Sequence, residues 1–229
     1  MKLIALLAWY DEPSWCLTEL IASVATAGAD AVVAVDGAYA LYPAGRAQSP
    51  SEQAQVIQAA AQGAGLELLM HLPREVWFGN EIEKRSYTFA LGHTIAIPGE
   101  DWFWILDADE VITEALGLRE ALEGVEAQTA SVMMEEVIDG SRSGVIPMRK
   151  FFRAQETGIH CESNHFTFRT GDGQLLYEGF QTPKPELAPC EHLGFIRFDH
   201  RGGRSEAREY AAQVYYDRRK QMSAELVPG

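Results

Sequence analysis

The chain has 229 residues, 47% of them hydrophobic and 10% aromatic, which is enough to build a core and to exclude wholesale disorder. Its 33 acidic residues against 19 basic ones leave a net charge of −14, a sign that repels phosphate backbones and disfavours generic nucleic-acid binding. No apolar run approaches the ~20 residues that span a bilayer. Three cysteines (Cys16, Cys161 and Cys190) are too few for a disulfide framework and point to a reducing, cytoplasmic setting.

Taken in chain order, the elements alternate. The apolar run over residues 3–8 reads as a strand buried on both faces; Asp11 and Glu12 interrupt it and no small-residue cleavage site follows, so it is not read as a leader. Ser14 is placed to cap a helix with apolar positions at Leu17, Leu20, Ile21 and Val24, stopped by Gly28. A second strand covers 31–35 and ends at Asp36. Ser49-Pro50-Ser51-Glu52 has the spacing of a capping box, opening a helix that runs to Gly63. A third strand over 66–70, a helix over 81–93 and a fourth strand over 102–106 complete the first half. Beyond it we expect a short helix capped by Thr113, strands over 130–138 and 193–198, and a hairpin turning at Thr170-Gly171-Asp172-Gly173. A Pro-rich surface loop over 182–189 and a charged helix over 205–224 finish the chain. Strands alternating with helices predict an α/β fold with a mostly parallel sheet covered on both faces. Ligands of such sheets sit beyond the carboxyl ends of the strands, where Asp11, Asp36 and Asp107 fall.

The sharpest feature is Trp102-Phe103-Trp104-Ile105-Leu106-Asp107-Ala108-Asp109-Glu110. Three acids within four residues follow a strongly apolar strand. Charge buried beside such a strand costs several kcal/mol unless it is neutralised. Carboxylate oxygens suit Mg²⁺ or Mn²⁺, ions that commonly complete their shell with substrate phosphates.

The segment Asp101 to Glu110 resembles the D-W-x-L-x-L-D-A-D-E stretch of glycosyltransferase family 2 and its GT-A-fold relatives. The helix Glu83-Lys84-Arg85-Ser86 is similar to the Arg-Asn helix that precedes it there, with Ser86 in place of the common Asn. Trp9-Tyr10-Asp11-Glu12 and the Val35-Asp36 pair resemble that family's nucleotide-binding start. The resemblance covers residues 1–112 well and is patchy beyond. It implies a single GT-A-like, Rossmann-type domain: a nucleotide-sugar half (1–112), an acceptor half with a small antiparallel region (113–203), and a C-terminal helix (204–229).

It further implies a nucleoside-diphosphate sugar as donor. Trp9 or Tyr10 would stack on the base, with Asp11, Glu12 and Ala108 lining the nucleotide site. Asp36 would accept hydrogen bonds from base or ribose, and Arg85, Arg201 and Arg204 would meet the diphosphate. Asp107 and Asp109, with His200 as a further ligand, would hold the ion, which offsets charge on the departing diphosphate. An inverting transferase also needs a general base. Arg149 to Glu162 resembles a family stretch in which a carboxylate faces the acceptor, so Glu162 is the first candidate, with His160 and Asp139 behind it. The acceptor stays open among a saccharide, a lipid carrier, a protein and a modified nucleic-acid base. Rival readings are a non-catalytic sugar-nucleotide or glycan-binding module and a nucleotidyltransferase. The latter usually opens with a Gly-rich basic loop, and residues 8–12 contain neither glycine nor lysine.

Overall fold

The structure, a computed structural model, describes residues 1–38, 46–77, 81–108, 110–112, 117–138, 141–163, 167–178 and 186–192. In the first half, β1 (Leu3–Ala8), α1 (Ser14–Thr26), β2 (Ala31–Val35), α2 (Ser51–Ala64), β3 (Glu67–His71), α3 (Glu81–His93) and β4 (Trp102–Asp107) alternate as expected. The second half holds β5 (Glu110–Ile112), α4 (Leu118–Glu123), β6 (Thr129–Ile138), β7 (Ser141–Arg153), β8 (Ile159–Ser163), β9 (Thr167–Thr170), β10 (Leu175–Glu178) and β11 (Glu186–His192).

One eight-stranded sheet runs in the order β3-β2-β1-β4-β7-β6-β11-β5. Its first four strands are parallel, with Ala8 in register with both Val35 and Asp107. β4 then pairs antiparallel with β7, and β7 with β6. β11 lies parallel to β6 and antiparallel to β5. A separate antiparallel sheet has the order β10-β9-β8.

Alternation along the buried strands splits the core in two. Leu3, Ala5, Leu7, Trp102, Trp104 and Leu106 face Leu17, Leu20, Ile21, Val24, Ile57 and Leu122 of α1, α2 and α4. Ile4, Leu6, Phe103 and Ile105 face Phe89 of α3 together with Ile159, Cys161 and Phe168 of the small sheet. Covering both faces is what makes β1, β2 and β4 uninterrupted apolar runs. Asp101 fastens the start of β4 to that of β1: its carboxylate accepts the Lys2 N–H at 2.6 Å and the Ile97 N–H at 2.7 Å.

Several local expectations are corrected. α1 starts at Ser14 with Pro13 at the cap position and no side-chain cap bond. The capping box at Ser49 does not form, because Pro50 takes the cap position of α2 and the Ser49 hydroxyl turns to Asp36 instead. α2 ends in a left-handed Gly65 (φ 72°) rather than at Gly63. β5, β7 and β8 were not anticipated as strands. The expected loop over 182–189 contains the start of β11, which is paired on both sides; the ladder shifts between Glu186 and Pro189, as a residue with no N–H requires. Thr113, the strand over 193–198 and the helix over 205–224 lie outside the described residues. Among the described residues no helix is long and apolar enough to cross a membrane.

Candidate functional site

In the sheet order the chain reverses between β1 and β4: β2 and β3 lie on one side of β1 and β4 on the other. That is the switch point at which open α/β sheets leave a crevice beyond the strand ends. Asp107, the last residue of β4, sits at this crevice in register with Ala8.

Phe103, Ile105 and Asp107 share the α3 face of β4 by strand alternation. From α3, Arg85 Nη2 donates to Asp107 Oδ1 at 2.5 Å, its side chain only 3% exposed against 24% for Asp107. From β7, the equally buried Lys150 donates to Glu110 Oε1 at 2.6 Å and lies 3.7 Å from Asp107 Oδ2. Glu110, 2% exposed, also accepts the Asp107 backbone N–H at 3.1 Å. Among the described residues two cations and two carboxylates thus meet at the end of β4, and of these four Asp107 is the one that reaches solvent. Burial pulls the Lys150 proton affinity down, but attraction to Glu110 and Asp107 outweighs it and leaves the ammonium above its ordinary value. A lysine raised in this way keeps its contribution below ~10.5 and loses it only at higher pH, so the ion pair holds across the neutral range.

A second network ties the strand ends together. Asp36 is 1% exposed and accepts from Gly37 N–H (2.7 Å), Ser49 N–H (2.8 Å) and the Ser49 hydroxyl (2.6 Å). The Asp11 N–H donates to the same Ser49 oxygen at 2.9 Å, and Asp11 adopts a left-handed φ of 51°. Lys84, one residue before Arg85, donates to the carbonyls of Trp9 (2.5 Å) and Gly37 (2.9 Å), bridging the ends of β1 and β2. His71, Trp77 and Tyr87 form an aromatic trio at the adjacent end of β3, with Trp77 Nε1 donating to the Asp36 carbonyl at 2.8 Å.

The residues singled out from sequence are therefore distributed unevenly. Asp107 and Arg85 are in contact. Trp9 and Ala108 lie in the core, and Trp9 and Tyr10 are 1% and 4% exposed. The apolar packing of Trp9 against the α1 side of the sheet is the physical reason for its burial. Asp36 faces Ser49 and Gly37 rather than the crevice. Glu12 is buried, its N–H bonded to Gln53, while Asp11 makes a solvent-exposed 3.3 Å pair with Arg46.

Glu162 and His160 belong to another group. They alternate with the buried Ile159 and Cys161 along β8, and Glu162 accepts from Arg169 Nε at 2.7 Å, with His160 3.8 Å away. β8 itself is pinned to α3, since the Cys161 N–H donates to Ser86 Oγ at 3.0 Å. Beside that junction an open cleft of ≈ 560 Å³ is lined by Ser86, His93, Glu156, Gly158 and His160, among others. Asp109, Asp139, His200, Arg201 and Arg204 lie outside the described residues.

Sequence reasoning gave no role to Lys84 or Lys150 and grouped Glu110 with the ion-binding acids. A signal existed for Lys150: strand alternation puts it on the same face as the buried Phe152, and a lysine there needs a carboxylate partner. Among the described residues no three His, Cys, Asp or Glu side chains converge into a cage for a metal. A Mg²⁺-type ion needs only one or two carboxylates when phosphates fill its shell, and the part-exposed Asp107 at the strand edge fits that role.

The chain matches no family model and no curated protein sequence. It is similar to the crystal structure of S. aureus TarS 1-349 (20% identity, TM-score 0.42), over 60% of this chain and 36% of that one. It is similar to the crystal structure of S. aureus TarS at 19% identity and a TM-score of 0.42, over 60% of this chain and 22% of that one. It thus spans well under half the length of either.

Proposed function

We propose that this chain is a GT-A-type glycosyltransferase that moves a sugar from a nucleoside-diphosphate sugar to an acceptor hydroxyl, with inversion and with Mn²⁺ or Mg²⁺. The observation that carries the reading is the Asp107–Arg85 pair at the switch point between β1 and β4. Asp107, with Asp109 two residues on, would hold the ion. When bound, the ion supplies positive charge that offsets the charge developing on the departing diphosphate. Arg85 fixes the direction of the Asp107 carboxylate and adds a permanent positive charge beneath the phosphates. Lys84 and Ser49 hold the β1 and β2 ends in one arrangement, so the crevice is shaped before donor arrives. On the acceptor side Glu162, with His160 and Asp139 as alternatives, would take the hydroxyl proton. The cleft running from Ser86 to His160 supports an acceptor approach from the small sheet.

A thermal-shift screen of uridine and guanosine nucleotide sugars, with and without Mn²⁺, tests the reading. Donor at ~100 times its dissociation constant should add about 2.7 kcal/mol. Asp107→Asn keeps an oxygen to accept from Arg85 and is expected to abolish the Mn²⁺-dependent part of that gain, with an unliganded midpoint near wild type. Absence of any shift in the wild type, whichever nucleotide sugar and ion are supplied, would remove the proposal.

A further inference from the structure

We propose that Lys150 is a resident counter-ion of this site that couples cation binding to the arrival of the diphosphate; the inference rests on the donor reading above. Lys150 is buried, 2.6 Å from Glu110 and 3.7 Å from Asp107, the longer contact lying beyond hydrogen-bond reach and therefore acting through charge. With Arg85 opposite, Asp107 has a fixed positive charge on each side before any ion is added. A divalent ion brought alone to the carboxylates that would hold it meets the two fixed positive charges beside Asp107, and their repulsion works against that attraction. A diphosphate brings the negative charge that both the ion and the two basic groups need. Ion and nucleotide then bind together far better than either binds alone.

The counter-ion role has a signature that a merely structural lysine lacks. Removing the charge frees Asp107 and Glu110 from a competitor and tightens the ion, while it deprives the diphosphate of a cation and weakens the nucleotide. A lysine that only supports the fold would weaken both. Lys150→Gln should therefore bind Mn²⁺ alone about tenfold more tightly than wild type, and uridine or guanosine diphosphate in metal-free buffer about tenfold more weakly. Lys150→Arg, which keeps the charge, should stay within about twofold of wild type in both titrations.

Isothermal titration calorimetry reads all three proteins. Should Lys150→Gln fail to fold, the Lys150→Gln/Glu110→Gln protein decides: its net charge equals that of wild type, so both affinities should return near wild type, and loss of both overturns the role. Both affinities falling together in Lys150→Gln, or neither moving, also overturns it. A wild type that binds neither nucleotide, with or without Mn²⁺, overturns the donor reading and the inference with it. A wild type that binds nucleotide normally, with Lys150→Gln shifted the same way for both ligands, overturns the lysine's role alone.

Discussion

Asp36 follows β2 at the carboxyl edge of the sheet, yet its carboxylate is turned inward onto Ser49 and Gly37. Its place is that of a joint between the β2 end and the approach to α2, with Lys84 adding charge from α3. Burial raises its proton affinity above the ordinary value of 3.8, and the hydrogen bonds from Ser49 and Gly37 and the charge of Lys84 reduce that rise without cancelling it. A carboxyl raised on folding binds its proton more tightly in the native state. Its contribution is full below ~3.8 and is lost as pH rises through the folded value. Asp36→Asn removes this titration, so as pH rises from ~3.8 the urea midpoint of wild type should fall relative to that of the variant. Wild type gaining on Asp36→Asn as pH rises would contradict the assignment. Asp107, by contrast, shows how a residue-level signal can be read: a carboxylate closing an otherwise buried strand has to meet a cation or a ligand, and the structure supplies Arg85.

At the scale of elements, β1, β2 and β4 were legible because both of their faces are buried and nothing polar breaks their runs. The strands that escaped are those whose patterns are broken. β7 opens on Ser141, Arg142 and Ser143 and carries Arg149 and Lys150 between Met148 and Phe151; β11 holds Pro189; β8 alternates outward His160 and Glu162 with inward Ile159 and Cys161. The Lys150–Glu110 pair was hidden for another reason: its partners are 40 residues apart, on strands β7 and β5 that only the folded sheet brings together. The junction of α3 with β8 is equally long-range, 75 residues in separation, and rests on Ser86. Ser86→Ala removes the partner of the Cys161 N–H in the middle of β8, which should cost about 1 kcal/mol. It should also speed hydrogen exchange at the Cys161 amide while exchange within β1 stays as in wild type. Equal acceleration in both strands would mean that Ser86 supports the whole domain rather than this contact.

For the molecule as a whole, the parallel and antiparallel parts of the sheet meet at β4 and β7, where Trp102, Phe103 and Trp104 pair with Arg153, Phe152 and Phe151. A seam of three residue pairs would be a weak hinge if backbone bonds alone held it. Aromatic packing closes it on both faces: Trp104 lies 5.6 Å from Phe151 on the α1 side, and Phe152 lies 5.7 Å from Phe89 and 4.6 Å from Phe168 on the α3 side. Phe152 therefore joins the parallel strands, α3 and the small sheet in one cluster, and the site at Asp107 and Lys150 straddles the same seam. If the seam carries the cooperativity of the domain, wild type should unfold in one transition, with near-UV and far-UV circular dichroism coincident. Phe152→Ala should lower stability by about 3–5 kcal/mol. It should also reduce nucleotide affinity, because β7 positions Lys150. Separate midpoints for the two signals in wild type, or full nucleotide affinity in a destabilised Phe152→Ala, would show that the two parts of the sheet act independently.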